Sequence, residues 1–208
     1  MSNKIDRRTF LKCTGASAAA LGTAALLGGC QQTASGASVE VKVGDKINNW
    51  NNLAVQLAGI YDLPASTGVE GTKYVAILIS AGNRSKTDSF AIGAQNILDI
   101  DAAYPLTDEA TKAANIIGYF NELSTSTTDF AAVCDGNEVP CGAYISLYDS
   151  TSETFADSPS LPSLRAGYVE LICQVPNDWK QLTVIYHPTF VKDKTLTFTM
   201  YASDLSAS

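Results

Sequence analysis

From Val39 onward the chain alternates. "VEVKV" sets Val39, Val41 and Val43 against Glu40 and Lys42, the period of two that sends successive side chains to opposite faces of a strand. "NLAVQL" repeats the pattern with Leu53, Val55 and Leu57, and "YVELICQV" repeats it with Val169, Leu171, Cys173 and Val175 before Pro176. "KYVAILIS" is apolar on both faces and predicts a central strand, stopped by the turn cluster "AGNRS". "DSFAI", "NILDIDAAY", "TTDFAAVC", "CGAYISLY", "QLTVIYHP" and "LTFTMYA" read as further strands. "DGNEVP" joins "TTDFAAVC" to "CGAYISLY" as a turn, and "STSETFADSPSLPSL" reads as a polar, proline-containing loop.

One stretch changes period. In "TDEATKAANIIGYFNEL", Thr107 is placed to cap a helix, with Asp108 and Glu109 in its first turn. Ala110, Ala113, Ala114, Ile117 and Phe120 keep helical spacing. Gly118 weakens the helix by about 1 kcal/mol. Many short strands, frequent turn signals and one short inserted helix predict an all-β, antiparallel β-sandwich over residues 39–208.

The first thirty residues follow another rule. A basic start, "NKIDRRTFLK", precedes Cys13–Gly29, where alanine and glycine outnumber three leucines. Seventeen residues is the lower limit for crossing a bilayer core of about 30 Å, and Ala and Gly add little transfer energy. The layout is that of an export leader. Arg7, Arg8, Phe10, Leu11 and Lys12 resemble the twin-arginine export signal, with Asp6 where that pattern has Ser or Thr. Leu27-Gly28-Gly29-Cys30 resembles a bacterial lipobox. The two resemblances together imply a signal peptide over 1–29 and lipidation of Cys30. They also imply a lipid anchor on the extracytoplasmic face of the cytoplasmic membrane. Residues 30–38, the lipidated Cys30 followed by "QQTASGAS", then form a flexible tether.

Charge narrows the partners. The first thirty residues carry +3 of the formal net charge of −7, so the 178 residues after them carry −10. An acidic body repels phosphate backbones, which argues against nucleic acid as a partner. Hydrophobic residues make up 46% of the chain and charged ones 17%, enough apolar material for a packed core.

The stretches "GTKYVAILISAGNRS" and "LPSLRAGYVELICQVPNDWKQLTVIYHP" resemble an immunoglobulin-like extracytoplasmic domain of unknown function found in Gram-positive lipoproteins. Leu164, Gly167, Val175, Pro176, Leu182 and Tyr186 carry the resemblance, which spans about residues 39–200. It implies an immunoglobulin-like sandwich and brings no catalytic residues with it.

Candidate chemistry is sparse. His187, the single histidine, ends a strand and has no partner ligands at zinc-site spacing. No G-x-S-x-G elbow and no phosphate-binding glycine loop is present, and Gly68, Gly71 and Gly82 read as turn residues. Asp99 and Asp101 share a face if "NILDIDAAY" is a strand, a pair that could serve glycoside hydrolysis or calcium binding. Asp135-Gly136-Asn137-Glu138 lacks the order of a calcium loop. Trp50 and Trp179 suit either a ligand surface or a sandwich core, the core being commoner.

Of five cysteines, Cys13 leaves with the leader and Cys30 takes the lipid, so Cys134, Cys141 and Cys173 remain. They allow three pairings. Cys134 and Cys141 flank the six-residue turn, so proximity favours a disulfide between them. Cys173, on an apolar strand face, then stays reduced and buried.

These observations predict a binding or interaction module rather than an enzyme, without metal or organic cofactor. It is held to the membrane through Cys30, and its ligand is an envelope protein, peptide or glycan. The alternatives are an accessory subunit of an exported redox enzyme, an envelope enzyme of another kind, or a purely structural envelope component.

Overall fold

The computed structural model describes residue 34 and residues 36–63, 70–108, 110–149 and 154–206. Arg7, Arg8, Phe10, Leu11, Lys12 and Cys30 lie outside the described residues.

Two sheets carry the alternating segments. The smaller runs in the order β1 (Ser38–Lys42), β13 (Thr195–Tyr201), β12 (Gln181–Tyr186), β6 (Phe130–Cys134) and β7 (Asn137–Val139). The larger runs β14 (Leu205–Ser206), β3 (Leu53–Asp62), β4 (Thr72–Asn83), β11 (Ala166–Pro176), β8 (Cys141–Asp149) and β9 (Thr154–Ser158), with β2 (Lys46–Trp50) also paired to β3. β5 (Phe90–Ala91) and β10 (Ser160–Leu161) form a small ribbon. Pairing is antiparallel except between β1 and β13 and between β14 and β3. The protein is an all-β antiparallel sandwich.

The alternation decides what lies between the sheets. Val75, Ile77 and Ile79 of β4, Val169, Leu171, Cys173 and Val175 of β11, and Ala143 and Ile145 of β8 point inward from the larger sheet. Val41, Leu182, Val184, Phe198 and Met200 meet them from the smaller one. Each large apolar side chain fully buried here contributes about 1.5–3 kcal/mol. Trp50 and Trp179 are part of this core, so the core alternative describes both. Gly167 has to be glycine, because a Cβ there would stand 2.6 Å from the Ser146 carbonyl oxygen. Asn83 is fully buried at the end of β4, with its amide N–H groups on the Asp88 and Leu161 carbonyls and its oxygen accepting from Ser85 N–H. That side chain makes the "AGNRS" turn and ties β4 to the β5–β10 ribbon.

The segment between β5 and β6 supplies two helices where one was expected. α1 (Ile97–Ala103) replaces the strand expected from "NILDIDAAY". "ILDI" satisfies both periods, and the buried pair Ile97 and Ile100 is spaced for a helix turn. α2 (Lys112–Ser126) starts later than Thr107 and runs further. Asp108 instead shapes the approach, accepting from Ala110 N–H and from Thr111 Oγ1. The buried stripe of α2 is Tyr119, Phe120 and Leu123, with Ile116 beside it, whereas Ala113, Ala114 and Ile117 are exposed. Gly118 is explained by Tyr104, whose ring lies 2.3 Å from where a Cβ would sit.

The helices form a third layer on the outer face of the larger sheet. Tyr74 and Ala76 pack with Phe120, and Tyr144 packs with Ile97, Ile100, Tyr119 and Leu123. Gly142 is the floor: Leu123 fills the place of its missing side chain, and a Cβ would be 2.6 Å from Leu123 Cγ.

Three further expectations are corrected. The loop "STSETFADSPSLPSL" contains β9 and β10. Gly82 lies inside β4 rather than in a turn. The turn between Cys134 and Cys141 is shorter and differently joined. β6 and β7 close at Asp135-Gly136, both with positive φ (49° and 85°), the signature of a type I′ hairpin. One residue, Pro140, then carries the chain to the other sheet, so β6 and β8 face each other across the sandwich.

Candidate functional site

The residues singled out in the sequence do not assemble into one site. Asp99 and Asp101 sit two apart on α1, which separates their directions instead of aligning them. His187 is exposed just after β12, its backbone N–H on the Asp129 carbonyl at 2.7 Å. The Asp135 carboxylate accepts from the N–H groups of Lys180 and Gln181 at 3.0 and 2.9 Å, a structural latch. Among the described residues, no group of three or more His, Cys, Asp or Glu is placed to hold a metal ion.

One strongly polar burial lies under the sandwich rim. Asp129 is 6% exposed and its carboxylate accepts from Gly93 N–H at 2.9 Å. Burial raises its pKa above the ordinary carboxylate value, against the opposing pull of the Gly93 hydrogen bond. Gly93 is held at φ 72°, where a Cβ would run into the Ala143 carbonyl. Beside them, the Tyr186 hydroxyl is buried, and its pKa stands well above ordinary because of burial and, second, the Asp129 charge. Phe130 stacks on the Tyr186 ring at 4.6 Å. This group fastens the β5–α1 connection to β6; it is closed to solvent and binds structure rather than ligand.

Cys134, Cys141 and Cys173 are buried thiols in the same core cluster. Cys173 and Cys141 are direct register partners on β11 and β8, while Cys134 stands opposite Leu182 and Asn137 in the smaller sheet. A hydrogen bond with Cys141 is the main reason the Cys173 thiol is held well above the ordinary value, with burial next. Burial and the neighbouring Asp135 push Cys134 up to about 11.

A feature the sequence did not show crosses the outer face of the larger sheet. Lys46, Gln56, Ser80, Tyr168, Ser146 and Asp157 are successive register partners on β2, β3, β4, β11, β8 and β9. They form one polar row across six strands. Ser146 Oγ donates to Asp157 Oδ1 at 2.5 Å, and Ser80 hydrogen-bonds the Tyr168 hydroxyl. Burial raises the Tyr168 pKa, and the bond from Ser80 opposes that rise. Glu170 stands two residues along β11, between Leu78 and Tyr144. Phe155 bridges two tyrosines, its ring centroid 5.1 Å from Tyr148 and 5.6 Å from Tyr168. The small residues Ala54, Gly82 and Ala166 lie in the next row over. Hydroxyls, an amide and carboxylates thus share one sheet face next to the helical layer; Ser80, Tyr168, Ser146 and Glu170 are buried there, and Lys46, Gln56 and Asp157 stay partly open at its two ends.

Comparison with known proteins adds an address. Residues 4–28 match the family model described as the TAT (twin-arginine translocation) pathway signal sequence. No curated protein matches the chain. Among solved structures, an uncharacterized beta-sandwich protein from Clostridium difficile 630 is similar, with TM-score 0.40 and 12% identity over 83% of this chain and 99% of that one. The Bacillus subtilis "putative lipoprotein (ycdA)" is also similar, with TM-score 0.43 and 13% identity over 74% of this chain and 38% of that one. The twin-arginine signal marks the protein as one exported across the cytoplasmic membrane, and its body is a β-sandwich with a helical layer.

Proposed function

We propose that this protein is a lipid-anchored, extracytoplasmic binding module and not an enzyme. In this reading Cys30 carries the lipid, the segment from Gln31 leads into β1, and an immunoglobulin-like sandwich presents the partly open ends of the polar row, Gln56 and Asp157, to an envelope protein, peptide or glycan. The supporting observation is that row, Gln56–Ser80–Tyr168–Ser146–Asp157, set beside the aromatic trio on a sheet face otherwise occupied by apolar helix contacts.

The test measures binding of the exported protein to purified cell-wall glycan and to a peptide library, for the wild type and for Asp157→Asn and Gln56→Ala. A ligand retained by the wild type and lost by both variants, with unchanged unfolding curves, is the expected result. Retention unaffected by either variant would sink the assignment of this face. The second reading, an accessory subunit of an exported redox enzyme, rests on the twin-arginine signal. It requires a cofactor-bearing partner to co-purify from host membranes.

A further inference from the structure

The hydrogen-bond pattern between β8 and β11 singles out one pair of cysteines. Gln174 N–H donates to the Pro140 carbonyl at 3.1 Å. Residues 174 and 140 therefore occupy a hydrogen-bonded position of the antiparallel ladder, and the next pair, Cys173 and Cys141, occupies a non-hydrogen-bonded one. At such a position opposing Cα atoms are about 4.5 Å apart and the side chains are at their closest. A disulfide needs Cα atoms about 4.4–6.8 Å apart. Both thiols also point to the same, inner face. Cys134 has no cysteine opposite it in its own sheet, so any bridge to it would span the interior between the two sheets.

We propose that Cys141 and Cys173 form a cross-strand redox pair, reduced while the chain folds and oxidised to a disulfide after export, with Cys141 the thiol that reacts first. Cys141 is 7% exposed against 1% for Cys134 and 0% for Cys173, and it opens β8 directly after the Pro140 corner. The oxidant is a disulfide donor, either a low-molecular-weight disulfide or an oxidised dithiol protein of the envelope. The Cys141 thiolate attacks one donor sulfur, forming a mixed disulfide and releasing one donor thiolate. The Cys173 thiolate then attacks the Cys141 sulfur, closing the bridge and releasing the second donor thiolate. The two protons given up by the protein thiols end on the donor, which leaves as two thiols, or as one dithiol where the donor is a dithiol protein. Two electrons pass from protein to donor. The hydrogen bond with Cys141 and burial hold back the Cys173 thiolate, and both thiols are buried, so oxidation waits on local opening at the corner and is slow. Because the register already holds the two side chains together, closing the bridge leaves the strand pairing in place.

The chain's own cleavage sites make the test direct. No lysine or arginine lies between Lys112 and Arg165, so trypsin releases Cys134 and Cys141 together in peptide 113–165 and Cys173 in peptide 166–180. Full-length protein exported by its host is equilibrated without denaturant in a mixture of oxidised and reduced glutathione, alkylated and digested. The expected product is peptide 113–165 joined to 166–180, with cleavage after Glu138 locating the link on Cys141. The joined peptide should persist in Cys134→Ala and vanish in Cys141→Ala. If Cys141→Ala does not accumulate as folded protein, Cys134→Ala carries the test. Peptide 113–165 two hydrogens lighter and unlinked would place the bridge at Cys134–Cys141 and overturn the proposal. Full alkylation of Cys141 and Cys173 at equilibrium would overturn it as well.

Discussion

Replacing Leu123 by alanine tests whether the helical layer is part of the cooperative structure. Leu123 is 0% exposed, on α2, and its side chain occupies the space above Gly142 of β8. Truncation removes three carbons, worth about 2.4 kcal/mol at about 0.8 kcal/mol per buried methylene. The vacated space cannot be refilled from below, because Gly142 has no side chain. A cavity contribution is therefore added, placing the loss near 3 kcal/mol, within the range of about 2–5 for buried Leu→Ala changes. For a chain of this size that is a drop of about 6–12 °C in Tm. Urea unfolding should be followed by two probes. Fluorescence of Trp50 and Trp179 reads the core between the sheets, and circular dichroism near 222 nm reads the helices. One cooperative unit requires the two curves to shift together with m unchanged. Ile117→Ala, on the exposed side of the same helix, should stay within about 0.5 kcal/mol of wild type. A Leu123→Ala loss below about 1 kcal/mol, or a helix transition separated from the tryptophan transition, would refute the packing described.

Asp129 makes stability depend on pH in the direction opposite to a salt-bridged acid. Its folded pKa is raised above 3.8, so the stability tied to its neutral form is fully present below that value and declines as pH rises through the folded pKa. Asp129→Asn keeps an acceptor for Gly93 N–H and removes the titration, so urea midpoints should favour the variant increasingly from pH 4 to 7; parallel profiles would contradict the burial argument. Gly118→Ala should destabilise despite a helix-propensity gain of about 1 kcal/mol, because the new methyl meets the Tyr104 ring, and adding Tyr104→Ala should recover part of the loss. Changing Arg7 and Arg8 together to lysine should strand the precursor in the cytoplasm, read by fractionation; normal export of that variant would contradict dependence on the twin-arginine signal.

Much of the sandwich was legible because a strand's period of two is a local property. Val169, Leu171, Cys173 and Val175 mark an inner face whatever they pair with, and β4 reads as central from its continuous apolar run. The leader was legible for a similar reason, since its signal is a short linear motif. Segments too short to favour one period were not. "ILDI" fits strand and helix alike, and α1 wins because Ile97 and Ile100 bury together against α2 and Tyr144. "KINNW" carries no alternation, yet becomes β2 by pairing with β3. In α2 the sequence by itself pointed to a stripe of which only Phe120 is buried. Ala113, Ala114 and Ile117 keep helical spacing as well as Ile116, Tyr119 and Leu123 do, and only the position of Gly142 and Tyr74 decides which side is covered.

The chemistry depended on register throughout. The polar row joins residues from position 46 to position 168 that have no spacing rule between them, and a slip of one residue in any strand would turn its member to the other face. The same holds for the cysteines. Linear proximity suggested a turn linking Cys134 to Cys141, but the hairpin closes at Asp135-Gly136 and Pro140 moves the chain to the other sheet. Cys141 therefore meets Cys173, thirty-two residues away, because antiparallel pairing fixes neighbours by strand order and not by distance along the chain.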